Sequence, residues 1–464
     1  MKTNNTPIAI TGMSCRFAGC NNPGSFWNTI MSQRIELTNI SYDNDIPFGQ
    51  SNIFKRSYPK KIGQLGDLYA CVPSMQNFPR QLDAGENQDL YFATQLAIDA
   101  LNDAGIHHGP NERINGTVRF GYAPPFNAST MNWLQHTAFL EQTMEILHAF
   151  LPNAPEEALE ATKAKLRESL PEPNVSSFLM GSGYRFVSWI ARECSFCGAA
   201  TIMDAGLLTG AAVIMNAIED LRSGVADVAL AGVQEPPLNR SYLEGLSGEI
   251  KFSTESELHP FEQNQSGTIP GEGCTFFVLK RRDDALKDHD RIYALIKNVE
   301  IGHNPDDDPS VILHNAIKNA EVPVDTISLI EADGSGIAEM EAREIESINR
   351  IWGEHVPGKN LVGVGSVKGN IGNTLRVSMA AGVMKASLAL RNRVLPPQIP
   401  PFHPNEAIAN ISSSAYLLTE ARPWITGNSA TPRRAAVIGT NFDMSESKGG
   451  RAAAIILEEE PEER

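Results

Sequence analysis

An α/β protein with sheets covered on both faces is predicted by three observations. Short Val-, Ile- and Ala-rich runs alternate with amphipathic helical stretches. Hydrophobic residues make up 42% of the 464-residue chain and charged residues only 20%, which gives a large core and too little charge for disorder. No apolar run reaches the roughly 18 residues of a membrane span. Length alone allows about three domains of roughly 150 residues. The net charge is −16, from 39 basic and 55 acidic side chains, and argues against a nucleic-acid or anionic-membrane surface. The opening MKTNNTPIAI has one Lys and no long apolar stretch, so no secretory signal is expected and the compartment is the cytoplasm.

The elements follow in order. The run Ile8 to Ile10 predicts a short buried strand that turns at Gly12. PGSFWNTIMSQR predicts a helix started by Pro23. Residues 39–80, rich in Asn, Tyr, Pro and Gly, read as irregular. Helical spacing returns from Gln88 to Ala104 and stops at Gly105. Residues 131–170 form a second helical region, in which Pro155 starts the second helix and Pro171 ends it. Strands are then expected at ADVALAGV, TFFVLKR, IYALIKNVEI, ISLIEADGSG, LVGVGSV, AAVIG and RAAAIILEEE, and the tail EEEPEER is a solvated acidic end. No short-period repeat or low-complexity linker is visible.

Six cysteines in a chain this long are not a disulfide framework. Cys194 and Cys197 form a lone CxxC with no second pair or His at ligand spacing, so no metal site is expected. They read as free thiols that behave as small, often buried hydrophobes.

Six segments in order resemble the β-ketoacyl synthase family, the condensing enzymes of fatty-acid and polyketide assembly. They are IAITGMSCRF…FWNTI, LRSGVADVALAGV (Leu221 to Val233), the long HPFEQNQSGTIPGEGCTFFVLKRRDDALKDHDRIYALI stretch from His259, LIEADGSG, VGSVKGNIGNT and LPPQIPPFHPN. The resemblance implies a thiolase-like fold, two pseudo-symmetric α/β halves packed as αβαβα layers. It places an N-terminal half at 1–258, a C-terminal half at 259–464 and a helical insert at about 131–170. It also implies a tight dimer. The insert, together with the Asp-Ala of MDAGLLTG, is similar to the branch of polyunsaturated-fatty-acid and heterocyst-glycolipid synthases.

The family needs a cysteine thiolate at a helix N-terminus to hold the acyl chain, and two imidazoles to assist decarboxylation. Its D-[AT]-A-C-[AS]-S-S motif falls on Asp204, Ala205, Gly206, Leu207, Leu208, Thr209 and Gly210, which puts Leu207 at the nucleophile position. Leucine has no lone pair and no ionisable proton, so no thioester forms there. The E-A-H-G-T-G-T motif reads Glu331-Ala332-Asp333-Gly334-Ser335-Gly336-Ile337, with Asp333 in place of the first His. K-S-N-I-G-H reads Lys368-Gly369-Asn370-Ile371-Gly372-Asn373, with Asn373 in place of the second. Lys368 is retained, and Asp333, Glu341 or Glu344 are its candidate partners. Leu375 stands where an acidic residue usually follows the second His, and DMSESKGG, residues 443–450, replaces the glycine-rich gating loop. Without chemistry, Leu207 reads as a core or tunnel-plugging side chain, Asp333 as a salt-bridged or solvated carboxylate, and Asn373 as a turn amide. Cys194 and Cys197, on the approach strand ten or more residues before the helix, are not substitutes.

The resemblance therefore implies a chain-length-factor or KSβ type of subunit. It would lack catalytic residues and cofactors, form a heterodimer with an active ketosynthase, and shape the partner's acyl tunnel. By family analogy tunnel-lining positions fall in 125–180, with Phe178 to Phe186 the best candidates. An acyl carrier protein would dock mainly on the partner, since a −16 surface does not attract an acidic carrier. The basic pairs Lys60–Lys61, Arg281–Arg282 and Arg433–Arg434 could form only a local rim. Two alternatives stand beside this reading: an enzyme with repurposed acyl chemistry at Asp333 and Lys368, and a homodimeric acyl-binding scaffold.

Overall fold

The computed structural model describes residues 6–40, 58–66, 88–107, 112–122, 133–170, 172, 183–265, 267–304, 309–355, 362–409, 415–427, 431–441 and 450–461. The first strand is longer than its apolar run, since β1 covers Ile8–Phe17. Gly12 does not turn the chain. The strand passes it with a register shift, and a Cβ there would lie 2.4 Å from the Ala100 carbonyl oxygen. Glycine at this point lets a helix close on the sheet. α1 (Pro23–Met31) begins at Pro23 as expected, behind a capping box in which Asn22 accepts from the Ser25 N–H and Ser25 accepts in return. That helix packing on Gly12 is α2 (Gln88–Asp103), which stops before Gly105 at φ +72°. Most of the stretch expected to be irregular lies outside the described residues; within it, Lys61–Ile62 pairs with Thr38–Asn39.

β2 (Gly116–Gly121) was not among the expected strands, because GTVRFG carries a charge at its centre. Asp220 of a later helix neutralises that charge: Arg119 grips its carboxylate at 2.6 and 2.7 Å. The helical insert comprises a π-helical turn (Gln135–Phe139), α3 (Leu140–Phe150) and α4 (Glu156–Glu168), with Pro155 just before α4 as expected and Pro171 outside the described residues. Leu140 is the buried residue of α3, and α4 has none. The chain continues through α5 (Gly183–Glu193), β3 (Ala200–Met203), α6 (Thr209–Arg222), β4 (Val228–Glu235), α7 (Arg240–Leu246) and β5 (Gly273–Arg281). It closes with β6 (Ala294–Asn304), α8 (Ser310–Asn319), β7 (Ile327–Glu331), α9 (Ala338–His355), β8 (Val362–Gly365), α10 (Ser378–Asn392), β9 (Ala415–Leu417), β10 (Arg434–Asn441) and β11 (Gly450–Glu458).

The strands lie in the order β9-β8-β7-β10-β11-β6-β1-β5-β4-β2-β3. One plan appears twice. Parallel β3, β2 and β4 are followed by antiparallel β5 and β1; parallel β8, β7 and β10 are followed by antiparallel β11 and β6. The halves join where Ile8–Ile10 pairs with Ala294–Ile296. α6 and α10 lie together between the halves, in a core that takes Ile8 and Leu279 from one and Leu329 and Val437 from the other. α2 and α5 cover the outer face of the first half through Leu96 and Phe186, and α8 and α9 cover the second through Ile312 and Trp352. The result is the expected thiolase-like αβαβα stack. Among the described residues no helix is long and apolar enough to cross a membrane.

Removing Arg119 would leave Asp220 charged and without its guanidinium in a nearly closed site. Arg119→Ala is therefore expected to lower stability by about 3 kcal/mol, read as an earlier denaturant midpoint.

Candidate functional site

Three turns carry the residues singled out in the sequence, and all three lie at the same end of the helix pair α6 and α10. The first joins β3 to α6. Asp204 accepts the Gly206 N–H at 2.9 Å, and the Thr209 hydroxyl accepts the Ala205 N–H at 2.9 Å while donating to the Gly206 carbonyl at 2.7 Å. Gly206 sits at φ +61°, and a Cβ on it would lie 2.9 Å from Asn441 Nδ2. This sharp elbow sets Leu207 just ahead of the helix. Its half-buried side chain packs against a cluster that contains Ile62, Tyr242, Phe252 and Leu375. The elbow thus presents a hydrocarbon side chain just ahead of the helix.

The second turn follows β7. Asp333 accepts from Lys368 Nζ at 2.7 Å with one carboxylate oxygen and from the Thr440 hydroxyl at 2.9 Å with the other. Of the partners considered for Lys368, the structure selects Asp333. Glu344 instead accepts the backbone N–H groups of Asp333 (2.6 Å) and Gly334 (3.0 Å), and Glu341 accepts those of Gly336 and Phe261, both at 2.8 Å. Burial pushes Glu341 up to about 8, against those two N–H groups. Burial and then the neighbouring Asp333 carboxylate push Glu344 up to about 8 as well. A buried ion pair, Glu331–Lys385 at 2.6 Å, ties the base of this turn to α10.

The third turn runs from Lys368 to α10. Asn373 is a turn amide: its side-chain oxygen accepts the Leu375 N–H at 3.1 Å and the Ser378 hydroxyl at 2.8 Å. Leu375 is buried at φ +49°, a left-handed conformation uncommon for a residue with a Cβ. It turns the chain so that Arg376 points back across the elbow. Arg376 reaches Asp204 at 3.0 and 3.1 Å, the Tyr242 hydroxyl at 2.6 Å and Glu235 at 3.3 Å, while Tyr242 donates to Glu235. Burial raises Glu235 to about 7 despite the adjacent guanidinium.

Arg376, Glu235 and Tyr242 were missed by the sequence reading. The available signal was a lone Arg in LRVSMAAGV and a lone Glu ending VALAGVQE, opposite charges in two apolar runs that have to find each other if buried. Contacts link the three turns. Thr440 holds Asp333, its neighbour Asn441 lies against Gly206, and Arg376 joins the Asn373 turn to Asp204.

Other expectations are corrected. Cys194 and Cys197 lie before β3, not on it. Cys194 is buried and its thiol is pushed well up by burial, but Cys197 is exposed and donates to the Ile114 carbonyl at 3.2 Å. Phe186, at the end of the stretch expected to line a tunnel, instead stacks in the outer core on Phe120 and Tyr122, at 5.4 and 4.7 Å. Residues 178–182 of that stretch are outside the described residues, as are 443–449 of the replaced gating loop, while Gly450 opens β11. Two of the basic pairs form no free rim. Arg281 and Arg282 pair with Asp227 and Glu460, and Arg433 and Arg434 with Glu459 and Glu458.

A doubly repeated α/β half with a strand–elbow–helix junction beside two glycine-containing turns defines a protein of the thiolase-like class. Comparison with known proteins agrees. The β-ketoacyl synthase N-terminal domain matches residues 5–285 and the C-terminal domain matches residues 300–401. The chain belongs to the β-ketoacyl synthase family. It is 27% identical to a mycocerosic acid synthase-like polyketide synthase of Mycolicibacterium smegmatis, over 98% of this chain and 20% of that protein. It is 25% identical to the highly reducing polyketide synthase SAT13 of Stachybotrys chartarum, over 91% of this chain and 17% of that protein. The chain thus spans about a fifth of the length of these relatives. Among solved structures it is similar to the ketosynthase from module 6 of the bacillaene synthase from Bacillus subtilis 168 (TM-score 0.76, 24% identity, 98% of this chain and 72% of that one). It is also similar to a structure titled PfaC Keto synthase-Chain length factor (TM-score 0.74, 23% identity, 98% and 48%).

Glu341 and Glu344 hold protons in the folded state that they release on unfolding, between about pH 4.5 and about pH 8. Their contribution therefore favours folding at the acid end of that window and is lost as pH rises through it, by at most about 1.4 kcal/mol per pH unit for each group. Urea denaturation at pH 6 and pH 8 should show this decline, and Glu344→Gln should make it shallower whatever its offset in absolute stability.

Proposed function

We propose that this chain is a non-catalytic, chain-length-factor-like subunit that pairs with an active ketosynthase and shapes its acyl tunnel in polyketide or fatty-acid-type biosynthesis. The observation that carries the reading is Leu207 at the head of α6, an inert hydrocarbon packed against the apolar cluster that contains Tyr242 and Leu375, in place of a thiolate. Asp333 and Asn373 point the same way. A decarboxylating site stabilises an enolate with hydrogen-bond donors or cations, and here one loop supplies an anion and the other an amide that can donate a hydrogen bond but cannot become a cation.

Pairing has a physical basis in the sheet. β3 lies at its edge with all four residues half-buried, and among the described residues β2 is the strand paired with it. A free edge beside the elbow suits a subunit interface, and an edge left open is a liability for a lone chain. The PfaC structure names a chain-length factor together with a ketosynthase, and a pair of that kind is the assembly inferred for this chain. In it the subunit needs no cofactor, and the carrier protein's phosphopantetheine arm enters the partner. The acid-matched Arg281–Arg282 and Arg433–Arg434 pairs agree with carrier docking on the partner. Repurposed chemistry at Asp333 and Lys368 is disfavoured, because Lys368 and Thr440 occupy both oxygens of the carboxylate a base would use.

Incubated alone with acyl and malonyl carrier-protein substrates, the chain is expected neither to acylate itself nor to condense. Co-expressed with a ketosynthase that keeps its Cys-His-His triad, it should copurify in an equimolar complex. Condensation by the isolated chain would refute the reading, and an activity lost in Asp333→Ala with the complex intact would favour repurposed chemistry. Leu207→Cys alone should not create activity, since Asp333 and Asn373 still lack imidazole; mass spectrometry for a thioester and a product assay check this.

A further inference from the structure

Every nitrogen of the Arg376 guanidinium is committed. Nε and Nη2 reach the two oxygens of Asp204 at 3.1 and 3.0 Å, and Nη1 reaches the Tyr242 hydroxyl at 2.6 Å and Glu235 at 3.3 Å. The backbone N–H of Arg376 also donates to Glu235, at 3.2 Å. A guanidinium used in this way has no fork left for a phosphate or carboxylate ligand, so its role is internal. Side-chain exposure falls across the clamp, from 39% at Asp204 through 15% at Arg376 to 0% at Glu235. The guanidinium therefore stands at the boundary between water and the interior.

The turn that aims Arg376 is strained. Leu375 holds φ +49° while almost fully buried, a conformation that persists only where the surroundings fix it. Asn373 supplies part of that hold by accepting the Leu375 N–H at 3.1 Å. Leu375 and Arg376 then act on the same elbow. Leu375 belongs to the apolar cluster on which Leu207 packs, and Arg376 ties Asp204, three residues before Leu207, to Tyr242 of that cluster. The elbow is held at both ends of a short stretch, at Asp204 by charge and at Leu207 by packing.

We propose that Arg376 is a positioning residue that latches the elbow shut, keeping side chain 207 turned into the Tyr242–Leu375 cluster and out of reach of an electrophile such as an acyl thioester. The latch belongs to this chain alone, so it stands or falls separately from the pairing inferred above. Leu207→Cys makes the position readable, with iodoacetamide as the probe and peptide-resolved mass spectrometry on the folded full chain. Two native thiols serve as references, since Cys197 is exposed and Cys194 is buried. With Arg376 in place the introduced thiol should label roughly 10-fold more slowly than Cys197, because a closed site reacts only through its open fraction. Adding Arg376→Ala should raise that relative rate roughly 10-fold, and adding Asp204→Asn, which removes the charge from the exposed half of the clamp, roughly 3-fold. Burial already raises Glu235 to about 7, so this carboxyl takes up a proton when the guanidinium is removed. Cys194 should stay protected in both variants. An introduced thiol that labels as fast as Cys197 with Arg376 in place overturns the latch, as does a rate that neither variant changes. A rise at Cys194 that matches the rise at position 207 means general loosening and overturns the positioning role. Should Arg376→Ala fail to fold, Asp204→Asn decides by the same readout.

Discussion

The buried pair α6 and α10 is the constraint on which the molecule depends. α10 is buried from Ser378 to Leu390, and together with α6 it fills the space between two sheet halves whose strands pair where β1 meets β6. Such a helix has no solvent face, so its sequence SMAAGVMKASLAL must be small and apolar nearly throughout. The exception, Lys385, is tolerated because Glu331 meets it at 2.6 Å. The turns before α6 and α10 inherit a fixed position from this packing. Leu207 lies just ahead of α6, and Asn373 lies in the turn that leads into α10.

The end of that core where the three turns meet is held by ion pairs and hydrogen bonds. Lys368 and Thr440 saturate Asp333, Arg376 clamps the elbow through Asp204, and Glu235 and Tyr242 complete that clamp from β4 and α7. Groups held this way are rigid. The scaffold of the β-ketoacyl synthase family thus carries ion pairs at this end of its core.

Much of this was legible in the sequence. The seven named strands, the Pro23 helix, the Gly105 stop and the six motif segments each depend on local periodicity or on side chains that specify a turn. The same is true of the three turns that hold Leu207, Asp333 and Asn373, because their glycines and short polar side chains mark them locally. Local pattern failed where a distant partner changed the energetics. Gly12 reads as a turn until α2 is seen to need its missing Cβ, and GTVRFG reads as a poor strand until Asp220 is seen to neutralise Arg119.

The amino-acid sequence by itself determined the α/β class, the family and the absence of a thiol or imidazole at the three motif positions, since these follow from residue identity and order. Only the tertiary structure decided which carboxylate Lys368 meets, that Arg376 bridges the elbow, and that the basic pairs are already neutralised. The pairings among those outcomes join residues 24 to 178 positions apart in the chain. Charge pairing and burial are set by such proximity in space, and linear order does not encode it.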